Sequence, residues 1–273
     1  MNHEYRSIEI NMRIGCPVNC SYCPQSTLIK ADHGNKKLFE IEDFCQVLDN
    51  ATEYEHPVEV YFAGFSEPLA VKNWQKFIAV CEDANLVYRF VLFTTGYRLS
   101  EDQMKFLSSC KKLQVNFHIG SRENMPNYDD TFLEKIELVK KYLPNSKFFQ
   151  VGFSPEEFHE INLKLQANNI KYQFQEIICR AGNLKTVNLL PLNIKNKNFA
   201  VTCNKMNDRK RPVILPDGTA LACTNDYGCE MKIGNLMRQK WSDLDFEKIR
   251  RLQSDHHSGL PCFRDCHFAK KTS

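Results

Sequence analysis

The chain has 273 residues, of which 42% are apolar and 25% are charged, and its formal net charge is +3. That length suits one large domain or two smaller ones, and the composition is typical of a soluble globular protein. The near balance of charge points to no polyanionic partner, so we expect no nucleic-acid partner.

The sequence has no targeting or membrane signal. Its first residues, MNHEYRSIEINMRIG, contain no apolar run of signal-peptide length, and no segment approaches the ~18 apolar residues of a membrane-spanning helix. We therefore predict a cytoplasmic protein with no membrane partner. Twelve cysteines in that compartment do not suit a disulfide framework, so metal binding is the leading explanation for the clustered ones.

Strand and helix patterns alternate through the first two thirds of the chain. Short apolar patterns predict six strands, at 7–14, 58–64, 87–96, 112–120, 147–153 and 171–179. A period of 3.6 residues predicts five helices, at 39–54, 71–85, 100–110, 131–143 and 154–169. Ser100 and Ser154 are the expected N-caps of the third and fifth helices. The alternation predicts an α/β fold, a partial (β/α)6 TIM-like barrel over residues 1–185.

Three motifs follow the first three predicted strands. Cys16, Cys20 and Cys23 have the spacing C-x3-C-x2-C after strand one, AGFSEP (63–68) follows strand two, and TTG (94–96) follows strand three. Because chemistry in such barrels gathers at the C-terminal ends of the strands, these loops are expected to meet at one mouth. Three cysteines leave the fourth position of a metal site open for another molecule.

The pattern changes after Cys179. We interpret residues 186–202, which are rich in Asn and Lys, as a linker to a second domain at 203–273. RPVILPDGTALACT predicts a hairpin around a Pro-Asp-Gly turn, and residues 242–254 predict a helix with Ser242 as its N-cap. This part of the chain carries five more cysteines: Cys203, Cys223, Cys229, Cys262 and Cys266.

The three N-terminal motifs resemble those of the radical S-adenosylmethionine (SAM) enzymes. CPVNCSYC matches the C-x3-C-x-aromatic-C motif of that superfamily, with Tyr22 in the aromatic place. AGFSEP resembles its Gly-Gly-Glu motif, and LFTTG resembles its strand-three signature with Thr95 in place of Asn. The resemblance implies that Cys16, Cys20 and Cys23 hold a [4Fe–4S] cluster whose fourth iron chelates SAM. A zinc knuckle is the alternative interpretation of the triplet.

The same resemblance implies a SAM site and a reaction. Backbone at Gly64–Ser66 and the carboxylate of Glu67 would receive the SAM ammonium, because a cationic amine needs carbonyl or carboxylate acceptors. The residues implied to contact SAM are Tyr22, Gly64, Phe65, Ser66, Glu67 and Thr95. Reductive cleavage of SAM would give a 5′-deoxyadenosyl radical that abstracts hydrogen, with electrons from a reductant such as flavodoxin or ferredoxin.

The C-terminal cysteines resemble those of SPASM and twitch domains, which hold auxiliary iron–sulfur clusters. The spacing from Cys203 through Gly218 to Cys223 matches the opening of such domains, and DYGCEMKIGNL (226–236) resembles the segment that follows. Five cysteines fit the shorter twitch form with one auxiliary [4Fe–4S] cluster, which leaves Cys229 as a bystander. The implied ligands are Cys203, Cys223, Cys262 and Cys266. A single zinc ion is the alternative occupant.

These resemblances favour an enzyme with a small-molecule substrate, like the twitch-containing dehydrogenases of aminocyclitol biosynthesis. In a dehydrogenation the auxiliary cluster accepts an electron; in an epimerisation a cysteine returns a hydrogen atom, and Cys229 is the first candidate. Arg180, at the end of strand six, is a candidate for binding or deprotonating a substrate hydroxyl, and a structural ion pair is its alternative role. A maturase of ribosomal peptides and a non-enzymatic zinc or iron–sulfur module are the alternative functions.

Overall fold

The computed structural model describes residues 5–34, 36–96, 99–120, 135–177, 201–203, 211–255 and 269–271. The described strands are β1 (Arg6–Ile10), β2 (Val58–Phe62), β3 (Val87–Thr94), β4 (Leu113–Gly120), β5 (Lys147–Gly152), β6 (Tyr172–Glu176), β7 (Val201–Cys203), β8 (Val213–Ile214), β9 (Thr219–Leu221), β10 (Lys232–Asn235) and β11 (Ala269–Lys271). The described helices are α1 (Gln25–Ala31), α2 (Ile41–Ala51), α3 (Trp74–Asp83), α4 (Glu101–Ser108), α5 (Ile136–Tyr142), α6 (His159–Ala167) and α7 (Phe246–Ser254).

Nine of these strands form one open sheet in the order β10-β9-β8-β1-β2-β3-β4-β5-β6. Strands β1 to β6 are parallel to their neighbours, and helices lie between them in the chain, which confirms the predicted partial α/β barrel. The other edge of β1 pairs in parallel with β8, and β8, β9 and β10 continue the sheet as antiparallel strands. Strands β7 and β11 form a separate antiparallel pair.

Helices α2 to α7 pack on one face of the sheet, whereas Leu28 of α1 packs with Val213 on the other face. Side chains along a strand alternate between the two faces. Ile8 and Ile10 of β1, for example, are fully buried among the helices, whereas Glu9 between them lies on the opposite face. We call that opposite face the inner face. Its polar and aromatic residues are available to line a site, while the helix-covered face forms the main apolar core.

Several local predictions need correction. Helix α1 was not expected, since Leu28 is its single fully buried residue and no apolar period marks it. Ser242 does not cap α7; Asp245 does, by accepting a hydrogen bond of 2.8 Å from the Lys248 N–H. Ser242 instead donates its N–H and its hydroxyl to Glu53, each at 3.0 Å.

Other predictions agree with the structure. Ser100 caps α4 in a reciprocal capping box with Gln103, and β8 and β9 form the hairpin around the Pro-Asp-Gly turn, where Gly218 has φ +81°. The domain division stays a prediction: residues 186–200 of the expected linker lie outside the described residues, and Val201 and Thr202 belong to β7. Among the described residues, no helix has both the length and the apolar content needed to cross a bilayer.

The core makes a stability prediction at Phe44. This side chain is fully buried, and its ring centroid lies 6.5, 5.8 and 5.3 Å from those of Phe39, Phe62 and Phe77. Phe44→Ala should lower the free energy of unfolding by about 3–5 kcal/mol, measured by urea denaturation under anaerobic conditions. Phe153→Ala, at a half-exposed ring, is the control and should cost less than about 1 kcal/mol. Equal effects at the two positions would contradict this core assignment.

Candidate functional site

The cysteine triplet lies on a loop that follows β1 and leads into α1. The loop is closed at its base, where the Ile14 N–H donates to the Lys37 carbonyl at 2.9 Å and the Phe39 N–H donates to the Met12 carbonyl at 3.1 Å. Gly15 has φ +86°, a left-handed conformation that favours glycine, and it turns the chain immediately before the first cysteine. The base thus holds the loop at the C-terminal end of β1.

The three thiols lie close enough to influence one another. Burial raises the pKa of Cys16 to about 11 and that of Cys20 to about 12, and Cys23 reinforces both shifts electrostatically. At neutral pH these two thiols therefore keep their protons unless a metal displaces them. Among the described residues, no three Cys, His, Asp or Glu side chains surround a point where a single ion would bind.

Donor groups lie near the cysteine sulfurs. The backbone N–H groups of Val18 and Glu67 lower the pKa of Cys16, and the Tyr22 hydroxyl lowers that of Cys20, each against the larger effect of burial. The Tyr22 ring packs against the apolar pair Val151 and Ile177, at the C-terminal ends of β5 and β6. The cysteine loop therefore reaches across the C-terminal ends of the strands, from the loop after β2 to the last strands of the barrel.

Two side chains, one in β1 and one directly after it, hold the loop after β2. The Gly64 N–H donates to Glu9 Oε1 at 2.9 Å, and Asn11 Oδ1 accepts from the Phe65 N–H at 3.0 Å and from the Ser66 hydroxyl at 3.1 Å. Gly64 has φ +73°, and a Cβ there would lie 3.0 Å from Asn11 Cβ. Glycine is required because the loop crosses β1 at close range. We call residues 64–67 the β2 loop.

The carboxylate of Glu67 ties the β2 loop to the end of β3. Its Oε1 accepts from the Leu69 N–H at 3.1 Å and from the Thr94 hydroxyl at 2.6 Å; its Oε2 accepts from the N–H and the hydroxyl of Thr95, both at 2.8 Å. The side chain is buried, which raises the pKa of Glu67, while the four donors oppose that shift. Four protein donors use the acceptor sites that a carboxylate offers.

Beside these loops, the inner face presents a row of rings. The centroid of Phe93 lies 6.3 Å from that of Tyr61 and 5.2 Å from that of His118, which in turn lies 5.8 Å from that of Phe149. Asn116, on the same face of β4, is buried, and its Oδ1 has no hydrogen-bond partner among the described residues. This part of the inner face offers flat apolar surface together with an amide acceptor.

Charged residues on the inner face are paired with one another. Glu59 accepts from the Tyr61 hydroxyl and from Arg89 Nε, both at 2.6 Å. Arg211 Nε lies 3.3 Å from Glu9 Oε2, and the Arg211 guanidinium stacks 4.3 Å from the centroid of the Tyr61 ring. These pairs link β1, β2 and β3 to the residue that leads into β8, so their role is structural.

The described C-terminal cysteines are buried or half-buried. Cys203 in β7 pairs in register with Ala269 of β11, and Cys223 Sγ accepts a hydrogen bond from the Asn225 N–H at 3.4 Å. Cys229 packs in an apolar cluster with Phe65, and burial raises the pKa of Cys229 to about 12. The predicted ligands Cys262 and Cys266, and the predicted catalytic Arg180, lie outside the described residues.

Sequence reasoning missed three residues of this site. Glu9 and Asn11 occupy the polar positions of an alternating strand, and such positions usually face solvent. Tyr227 lies far along the chain, yet its hydroxyl is 3.6 Å from Cys23 Sγ. The alternation of apolar and polar residues at the start of the chain could have marked Glu9 and Asn11, once both faces of the strand were known to be covered. Tyr227 lies in the segment DYGCEMKIGNL, but nothing in that sequence indicates its contact with Cys23.

Two curated relatives resemble this chain. The S-adenosyl-L-methionine-dependent 2-deoxy-scyllo-inosamine dehydrogenase of Niallia circulans is 19% identical over 265 residues, which cover 95% of this chain and 91% of that protein. The tRNA-2-methylthio-N(6)-dimethylallyladenosine synthase of Sulfurihydrogenibium sp. (strain YO3AOP1) is 27% identical over 165 residues, 54% of this chain. The chain spans only about a third of that second relative's length, 36%.

Two solved structures have a similar fold. BtrN in complex with AdoMet and 2-DOIA superposes with a TM-score of 0.55 at 18% identity, covering 94% of this chain and 90% of BtrN. Native anSMEcpe with bound AdoMet and Cp18Cys peptide gives a TM-score of 0.63 at 16% identity, covering 96% of this chain and 88% of that one. At these identities both likenesses establish the fold alone.

The family profile of the Radical SAM superfamily matches residues 10–167, more than half of the chain. This match includes the cysteine loop, the β2 loop and the end of β3, the three segments whose motifs resemble that superfamily. It confirms the resemblance and the expected use of SAM and a [4Fe–4S] cluster. The chain therefore belongs to the radical SAM superfamily.

Proposed function

We propose that this protein cleaves SAM reductively and uses the product to remove a hydrogen atom from a small polar substrate. The observation that carries this proposal is the contact between the cysteine loop and the β2 loop, where Gln25 Nε2 donates to Cys23 Sγ at 3.4 Å and to the Phe65 carbonyl. That contact brings the three thiols and the loop of the Gly-Gly-Glu type to one end of the strands. A cluster and a molecule bound to it need such a shared site.

The thiols fit a cluster in two respects. Three cysteines that interact electrostatically suit ligands on three irons of one cluster, which leaves the fourth iron open for another molecule. The donors near these sulfurs suit thiolates, because charge-assisted hydrogen bonds stabilise the anionic form. Cys16, Cys20 and Cys23 would hold the cluster, and the cluster and SAM together would supply the reductive cleavage that yields a hydrogen-abstracting radical.

Within the SAM site, we assign different roles to the backbone and to Glu67. The backbone of Gly64, Phe65 and Ser66 would receive the ammonium of SAM, as the family resemblance implies. The Glu67 carboxylate, with four protein donors already on its oxygens, would position that backbone and supply negative potential nearby. Tyr22 and Thr95 would border the site, since each contacts a residue that frames it.

For the substrate, we infer an aminocyclitol or a related sugar-like molecule. The dehydrogenase of Niallia circulans, whose name gives 2-deoxy-scyllo-inosamine as its substrate, matches nearly the full length of this chain. The inner face supports the same chemical class, because the Phe93 and His118 rings offer flat surface and Asn116 offers a buried acceptor for a hydroxyl. Arg180 stays the candidate for a further contact with a substrate hydroxyl.

A second cluster would complete a dehydrogenation. After a hydrogen atom leaves a carbinol carbon, one electron and the hydroxyl proton must also leave to give a ketone. A cluster held by Cys203, Cys223, Cys262 and Cys266 would accept that electron. Cys229 is not needed as a ligand, and its raised pKa keeps it a thiol, the form that would return a hydrogen atom in an epimerisation.

Peptide modification is the second candidate function. The fold likeness to anSMEcpe with bound Cp18Cys peptide has a higher TM-score than the likeness to BtrN, 0.63 against 0.55. An aminocyclitol and a peptide would both enter at the C-terminal ends of the parallel strands. Substrate assays therefore separate these functions better than fold comparison does.

The first test is SAM cleavage by the anaerobically reconstituted protein with dithionite. We expect 5′-deoxyadenosine and methionine, and about eight irons per chain from two clusters. The triple variant Cys16→Ala, Cys20→Ala, Cys23→Ala should lose cleavage and retain about four irons. Normal cleavage by this variant would overturn the proposed radical chemistry, and an iron count of zero would overturn the auxiliary cluster.

A second test concerns the β2 loop. Asn11→Ala removes the acceptor for the Phe65 N–H and the Ser66 hydroxyl, and Glu67→Ala removes the tie to β3. An unmade buried hydrogen bond costs about 1–3 kcal/mol, so SAM affinity should fall roughly five- to a hundredfold in each variant, measured by equilibrium dialysis. Asn85→Ala, at an exposed turn, is the matched control. Unchanged SAM affinity in both loop variants would mean that the loop does not position SAM.

A third test separates the reactions and the substrates. With 2-deoxy-scyllo-inosamine, Cys203→Ala should still cleave SAM but give no ketone, while Cys229→Ala should form the ketone at nearly the normal rate, both followed by mass spectrometry. One SAM should be consumed per product. A product of unchanged oxidation state carrying one solvent deuterium at carbon would replace dehydrogenation by epimerisation. Modification of the Cp18Cys peptide with no change to the cyclitol would favour the peptide function.

A further inference from the structure

A buried tyrosine from the C-terminal part of the chain contacts the cysteine loop. The Tyr227 hydroxyl lies 3.6 Å from Cys23 Sγ, although 204 residues separate the two along the chain. Tyr227 is only 1% exposed, and its ring centroid lies 4.4 Å from that of Phe65 in the β2 loop. This residue therefore touches both loops that frame the proposed SAM site.

The turn that carries Tyr227 is held rigidly. The adjacent Asp226 is fully buried, and its carboxylate accepts from the Glu230 N–H at 3.0 Å and from the Met231 N–H at 2.7 Å. Backbone bonds close the same turn, because the Asp226 N–H donates to the Cys223 carbonyl and the Cys229 N–H donates to the Asp226 carbonyl. The hydroxyl is thus placed against Cys23 by the fold itself.

The chemistry of the pair sets the direction of the hydrogen bond. A cysteine that ligates iron is a thiolate, which has no proton to give, so the phenol must donate. A hydrogen bond to a ligating sulfur stabilises the more negative, reduced state of a cluster and so raises its reduction potential. Gln25 Nε2, 3.4 Å from the same sulfur, is a second donor on the local side of the chain.

We propose that Tyr227 is a positioning residue that donates a hydrogen bond to Cys23 and thereby raises the reduction potential of the cluster held by Cys16, Cys20 and Cys23. This inference rests on the proposed function, since it requires that cluster. The reduction potential of that cluster would then depend on the turn between Cys223 and Cys229, which holds Tyr227 in place. Easier reduction of the cluster favours cleavage of SAM at a given strength of reductant.

The test is Tyr227→Phe, which keeps the ring and its packing and removes only the hydroxyl. The midpoint potential of the cluster is measured by a redox titration followed by electron paramagnetic resonance, and the SAM-perturbed signal identifies the cluster that binds SAM. At a fixed potential the ratio of reduced to oxidised cluster should fall about fivefold, which is a shift of about −40 mV for a one-electron couple. Iron content and SAM affinity should stay unchanged.

Tyr142→Phe is the matched control, because it also removes one hydroxyl hydrogen bond, a 2.7 Å contact with Glu101 far from the cysteines. Its potential should equal that of the parent protein. An unchanged potential in Tyr227→Phe overturns the inference, and so does loss of the cluster in that variant alone, which would make Tyr227 an assembly residue. A parent protein with no SAM-responsive signal would instead overturn the proposed function itself.

Discussion

The four hydrogen bonds on the buried Glu67 carboxylate are the constraint on which the candidate site depends. They join the loop after β2 to the end of β3, while Glu9 and Asn11 fasten the same loop to β1. Three neighbouring strands therefore fix one short loop, whose Phe65 carbonyl accepts a hydrogen bond from Gln25, a residue that also donates to Cys23 Sγ. A loop fixed before its ligand arrives loses little conformational entropy on binding, which favours affinity.

Apolar periodicity and helix-capping residues predicted most of the strands and helices of the fold. The helices at 41–51, 74–83 and 101–108 each have an apolar face that repeats every 3.6 residues, and the parallel strands are short apolar runs between them. Helix α1 escaped prediction because Leu28 alone is fully buried in its seven residues. The predicted N-cap at Ser242 is wrong because this residue forms a long-range contact with Glu53 instead. Sequence spacing carries no information on such contacts.

The residues of the candidate site also divide into those that a local sequence pattern predicts and those that only long-range contacts reveal. Motif spacing identified Cys16 and its two companions, since ligands on one loop leave a local pattern. The residues that hold those motifs in place come from elsewhere in the chain: Asn11 directly follows β1, and Tyr227 comes from beyond the barrel. Their importance arises from where the folded chain puts them. The motif predicts a contact between Glu67 and SAM, which stays a prediction, and it does not indicate the four protein donors that hold this carboxylate in place.

The position of β1 inside the sheet has a consequence for biosynthesis. One edge of β1 pairs with β2 within about 50 residues, but the other edge pairs with β8, about 200 residues later. During synthesis, the N–H groups of Glu9 and Asn11 cannot form their backbone hydrogen bonds until Pro212 and Ile214, which supply the carbonyls, have been made. Until then β1 has an open edge, which is a template for association with other chains. Strand β8 covers that edge in the folded protein, and it can do so only after most of the chain has been made.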